Sequence, residues 1–126
     1  MPRILGLGGL FFKSADPAAT NEWYARVLGI AMEKWGGFFT PEAAAAHPGA
    51  GTAFSPFGAD SDYFAPSDKE FMFNLMVDDL DGMLARCAEH GVLPVKRMPD
   101  EGMGEFAHIM DPEGRKIELW QPKPMS

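Results

Sequence analysis

The chain has 126 residues, 46% of them hydrophobic, 12% aromatic and 23% charged, the balance and length of one compact domain, which excludes disorder and a multidomain assembly. Eleven Lys and Arg stand against eighteen Asp and Glu, and the formal charge of −7 repels phosphate backbones and anionic lipid, so no nucleic-acid or membrane partner is expected. The lone Cys87 excludes an internal disulfide and a Cys-rich zinc module. No apolar run approaches a membrane span, and Met1-Pro2-Arg3-Ile4 lacks the basic and apolar regions of a signal peptide, so a cytoplasmic protein is expected.

In chain order, Gly8 to Lys13 reads as an aromatic-rich strand running into a helix, with Asp16 as N-cap and Pro17 at the first helical position. Tyr24, Val27 and Leu28 make the apolar stripe of that helix, Trp23 lies beside it, and Gly29 suits a left-handed end. Short strands are expected at about 30–33, 35–40 and 51–57, with 41–50 a loop holding one helical turn. Residues 58–69 form a linker whose Tyr63, Phe64 and Pro66 are too apolar for a plain tether and suggest a cover over a pocket or partner surface.

Phe71 to Leu80 then repeats the opening pattern 63 residues later. Asp79 caps a second helix whose Leu80, Met83, Leu84, Cys87 and Ala88 fall on one face, and Gly91 suits its end. Strands are expected at about 92–97, 104–110 and 115–121, with Asp111-Pro112-Glu113-Gly114 as a type I turn. Each half reads β-α-β-β-β, module one about 1–60 and module two about 68–122 of a single domain spanning 1–126. The fold class is α+β, because two halves that each present one helix stripe and one sheet face close a core by pairing.

Glu22-Trp23-Tyr24 with Val27-Leu28-Gly29, then Val77-Asp78-Asp79-Leu80, then Asp111-Pro112-Glu113-Gly114-Arg115-Lys116-Ile117-Glu118-Leu119 resemble the vicinal oxygen chelate superfamily. That superfamily includes glyoxalase I, bleomycin and fosfomycin resistance proteins, and extradiol dioxygenases. The resemblance implies two tandem modules whose mixed sheets curl around a shared cavity, commonly in a homodimer, with four metal ligands in that cavity in the enzymes. Carried over by spacing from the helix caps and by the repeat, those ligand positions fall on Gly9, on Phe54 or Ser55 with the repeat favouring Ser55, on Met72 and on Glu118. Only Glu118 carries a competent side chain, and transition-metal sites take three or four protein ligands, so no cofactor is expected.

A divalent metal is the alternative, through Glu118 and His108. If Asp111 pairs with Gly114 across the turn, Ala107 lies opposite Glu118 and His108 opposite Ile117, which puts His108 on the other face; a one-residue bulge would reverse this. His90 falls in the last turn of the second helix, a structural position that complements the dipole, and His47 opens a surface turn. Cys87 reads as a small buried hydrophobe.

Alternation places Lys116, Glu118 and Trp120 on one face of the last strand, with Gly9, Phe11 and Lys13, and Met72, Asn74 and Met76, as matching sets; Leu10, Phe12, Phe73 and Leu75 then pack under the helices. The expected ligand-binding residues are Phe11, Phe54, Ser55, Met72, Asn74, Met76 and Trp120, mostly apolar walls with few polar groups. Glu118 is the candidate catalytic residue: it pairs with Lys13 or Lys116, binds a cationic or hydroxylated ligand, or, with a pKa raised by burial, serves as acid or base. Two classes of function follow. One is a metal-free protein binding a small, partly aromatic molecule in the inter-module cavity, as bleomycin resistance proteins do; the other is a lyase, isomerase or dioxygenase using a metal, or an acid–base enzyme using Glu118 alone. A homodimer is expected from the resemblance, with Phe38, Phe39, Tyr63 and Phe64 as aromatics to be covered.

Overall fold

The computed structural model describes residues 2–123. Helix α1 spans Pro17–Leu28; the Asp16 side chain accepts from Ala19 N at its start, and Gly29 closes it in the left-handed region at φ 73°. A two-residue hairpin follows, β1 (Met32–Glu33) with β2 (Gly36–Gly37), and then a short helix, α2 (Pro41–Ala45), where proline opens a run of alanines. After the linker come β3 (Phe73–Met76), α3 (Leu80–Glu89, capped by Asp79), β4 (Lys96–Met98), β5 (Gly104–Met110) and β6 (Lys116–Pro122).

The second half is a β-α-β-β-β unit with a mixed sheet in the order β3-β6-β5-β4, where β3 runs parallel to β6 and the other pairs are antiparallel. Period-two alternation splits this sheet into two faces. Phe73, Ala107, Ile109, Ile117 and Leu119 turn inward and pack with Trp23, Tyr24, Val27 and Leu28 of α1 and Leu80 and Cys87 of α3. Both helices therefore share one core, and Cys87 is fully buried within it, as its place on the apolar stripe implies.

The first half is built differently from the expectation. Residues 8–13 and 51–57 have no strand assignment, and the expected strands at 30–33 and 35–40 shrink to the Met32–Gly37 hairpin. A strand needs a neighbour to take its N–H and C=O groups, and among the described residues neither stretch pairs in a ladder; apolar alternation alone does not make one. Phe12, expected in the core, is half exposed and only its ring reaches Phe73, at 4.9 Å between centroids, while Leu10 is 55% exposed.

The turn between β5 and β6 corrects the expected register. Gly114 N donates to Asp111 O as a type I turn requires, but Gly114 is left-handed at φ 85° and Asp111 N pairs with Arg115 O at 2.9 Å. This is a three-residue hairpin loop with a glycine bulge. The bulge moves every pairing by one residue, so His108 stands opposite Glu118 and Ala107 opposite Leu119.

Candidate functional site

The outward face of the four-stranded sheet carries its chemistry in rows. Lys96, His108, Glu118 and Asn74 are register neighbours across all four strands, one polar row. Beside it runs Met98, Phe106, Trp120 and Met76, an apolar row in which Phe106 and Trp120 lie parallel at 6.0 Å. Trp120 Nε1 donates to Met103 O at 2.7 Å, which fixes the indole.

Glu118 is the centre of the polar row. His108 Nε2 donates to Oε2 at 2.8 Å and Asn74 Nδ2 to Oε1 at 2.8 Å. The Tyr63 hydroxyl, from the linker, donates to Oε2 as a third partner. Burial pushes the Glu118 carboxyl up, but the three donors together outweigh it and hold its pKa below the ordinary value. The expected raised pKa is thus corrected: burial without partners would raise it, and this carboxylate has partners on both oxygens. Burial first, and then the bond to the carboxylate, raises the Tyr63 phenol, which stays a neutral donor.

With Nε2 engaged by the Glu118 carboxylate, Nδ1 is the remaining polar atom of the His108 ring. It is buried with no partner among the described residues, which leaves the row with unused hydrogen-bonding capacity.

The linker reaches the row as a strap. Lys116 Nζ donates to Tyr63 O at 2.6 Å and Ala65 O at 2.8 Å, and its ammonium lies 5.2 Å from the Tyr63 ring centre. Phe57 stacks on that ring at 5.4 Å, and the His108 ring meets it edge-on. Lys116 is therefore a tether for the strap; of the two lysines expected as ion partners for Glu118, neither takes that role by direct contact, and Lys13 lines a separate groove.

The sequence-derived residues fall into two groups. Asn74, Met76, Trp120 and Glu118 share the outward face in adjacent rows, and Met72 is half-buried just before β3. Phe11 and Phe54 are 94% and 89% exposed, and Ser55 is exposed beside Phe54. Phe11 lines an open groove of about 590 Å³ with Leu10, Phe12, Lys13, Phe71 and Arg115, which does not include Glu118. His108, expected on the far face, is a direct partner of Glu118 because of the glycine bulge. Tyr63 was legible only as an oddly apolar linker residue. His90 ends α3 with Nδ1 3.5 Å from Arg26 Nη1, and His47 is exposed beyond α2.

No group of three His, Cys, Asp or Glu side chains that could hold a metal ion exists among the described residues. Gly9 has no side-chain donor, Met72 offers only a soft thioether and Ser55 only a neutral hydroxyl on an exposed stretch, and both Glu118 oxygens already accept bonds from the chain itself. This donor set does not fit the metal centre that the superfamily's enzymes carry.

The family model of the glyoxalase-like domain matches residues 9–120, and the chain belongs to that family, within the vicinal oxygen chelate superfamily. Among solved structures, TnmS3, an antibiotic binding protein from Streptomyces sp. CB03234, is 23% identical with a TM-score of 0.53, over 86% of this chain and 88% of that one. A protein from the mobile metagenome of V. Pseudocholerae is 19% identical with a TM-score of 0.59, over 96% and 97%. These likenesses are of fold. No curated protein matches. No helix among the described residues is long and apolar enough to cross a membrane.

Proposed function

We propose that this chain binds a small, partly aromatic molecule on the outward face of its sheet, without a resident metal. The observation that carries this reading is the adjacency of two rows: a preorganised carboxylate flanked by His108 and Asn74, and beside it a Met and aromatic platform containing Phe106 and Trp120. Mostly apolar walls with few fixed polar groups suit a drug-sized ligand, and methionine adapts to irregular shapes. TnmS3, of the same fold, is an antibiotic binding protein. The acidic surface favours neutral or cationic ligands over anions.

A second reading has one specific support. Glu118 is held ionised with an imidazole behind it, so it is competent as a metal-free base toward a substrate that replaces Tyr63. The two readings separate in one experiment: a thermal-shift screen of aromatic compounds, with and without chelator, followed by product analysis for each hit. Stabilisation that is indifferent to chelator and accompanied by no product supports binding. Stabilisation abolished by chelator, or turnover that Glu118→Ala removes, overturns it.

The partner of this chain is proposed to be a second copy. Ile4, Leu5 and Phe11 are each more than four-fifths exposed along a stretch without strand partners among the described residues, an apolar surface that a monomer leaves wet. Sedimentation at micromolar concentration is expected to give a dimer, and a monomer across the range would overturn it.

A further inference from the structure

We infer that the Glu118 row is a receptor for a phenolic hydroxyl, and that Tyr63 is the chain's own stand-in for that ligand. The inference rests on the binding reading above and narrows its ligand class.

The donors around Glu118 are of two kinds. His108 and Asn74 come from β5 and β3, are set by the sheet register, and fix the carboxylate's orientation whatever the linker does. The third donor is an aromatic O–H supplied by the strap. The strap is joined to the sheet by side chains: Glu118 takes the Tyr63 hydroxyl, and Lys116 takes two strap carbonyls. Its own backbone bonds among the described residues are local turns, Ser61 N to Gly58 O, Ala65 N to Asp62 O and Ser67 N to Phe64 O. A cover attached in this way leaves as a unit without breaking any strand pairing.

The slot that the Tyr63 ring fills is already shaped for an arene. Phe57 lies on one side, His108 presents its edge, and the Lys116 ammonium faces the ring. An incoming phenol exchanges one phenol–carboxylate bond for another, while the two Lys116 bonds to strap carbonyls are given up to water, a cost that the ligand's other contacts must offset. The net gain then comes from the Phe106 and Trp120 platform, which lies two residues along each strand on the same face and which the strap phenol does not use in its hydrogen bonding. An aryl ether lacks the proton that Glu118 accepts and leaves a nearly buried carboxylate one donor short, which is costly. A phenolate meets a like charge. The row therefore selects a neutral phenol larger than one ring.

The test uses 2-naphthol and its methyl ether as probes, titrated calorimetrically into the full chain and into Tyr63→Phe. The expected result is that 2-naphthol binds at least about tenfold more tightly than the ether, the equivalent of one hydrogen bond to a charged group. Tyr63→Phe keeps the ring and deletes the competing hydroxyl, so it is expected to tighten 2-naphthol about tenfold by raising the open fraction of the strap. Glu118→Gln keeps an acceptor oxygen but loses the charge, so it is expected to shrink the preference for the naphthol over the ether to about a few-fold. Equal binding of both probes, or weaker naphthol binding in Tyr63→Phe, overturns the phenol assignment while leaving the aromatic site standing. Binding of neither probe to either protein overturns the aromatic-ligand reading itself, and this inference with it.

Discussion

Asp111 shows how one side chain joins turn, helix and sheet. Its Oδ1 accepts from Glu113 N and Arg115 N, each at 2.9 Å, and its Oδ2 accepts from Tyr24 Oη and Arg115 Nη1, each at 2.7 Å. Asp111 and Arg115 are 5% and 2% exposed, so the pair is a buried one. Asp111→Ala leaves a guanidinium and a phenol buried without their acceptor, and is expected to cost about 3–5 kcal/mol in urea unfolding, a large share of a small domain's stability. Its neighbour Glu113 accepts from Ser14 Oγ, Ala15 N and Thr20 Oγ1, and these bonds, with Arg115 alongside, hold its pKa down to about 2 from 4.5. A carboxylate with a depressed folded pKa adds stability that is fully present above the unfolded value and is lost as pH falls through the folded one. Stability is therefore expected to decline between about pH 4.5 and pH 2, and Glu113→Gln to flatten that limb of an acid titration followed by circular dichroism. The Asp-Pro-Glu-Gly-Arg stretch that carried the family resemblance is, in this chain, a fastening between the sheet and the start of α1.

At the scale of elements, the β5–β6 hairpin decides which side chains meet. Gly114 sits at φ 85° with open space around the position a Cβ would take, so Gly114→Ala is opposed by backbone conformation alone. It is expected to cost about 1–2 kcal/mol by chemical denaturation with the fold retained. Helices and their ends were legible because capping is local: Asp16 with Pro17, Asp79, Gly29 and Gly91 announce boundaries that need no tertiary context. The faces of β6 and β3 were legible too, since alternation along one strand is also local. What was not legible depended on pairing. The sequence left two registers for this hairpin, Asp111 paired with Gly114 or a one-residue bulge, and only the pairing partner of Asp111, which is Arg115, decides that His108 meets Glu118. The strands expected at 8–13 and 51–57 failed for the same reason, because a sequence does not state whether an extended stretch has a neighbour. Tyr63 required knowing where a linker of about a dozen residues lands, which no local pattern encodes.

Across the whole molecule, the packing is uneven. One face of the sheet is sealed by α1 and α3, drawn from different halves of the chain and joined at their ends by Arg86, which donates to Val27 O at 3.1 Å and Arg26 O at 3.2 Å. Those carbonyls belong to the last turn of α1, so a cation from one helix closes the other. The other face carries polar chemistry under a side-chain-tethered strap. Strap and core should therefore open independently, the strap often and the core rarely. Cys87 makes that difference measurable. It is the only thiol in the chain, it is wholly buried on α3 in the core shared with α1 on the sealed side, and burial pushes its pKa up. A thiol-labelling reagent therefore acts as a clock for separation of the two helices and is blind to the strap. Labelling is expected to stay slow in Tyr63→Phe and to accelerate in Asp111→Ala, so that one residue with no part in binding reports which half of the protein a given change has loosened.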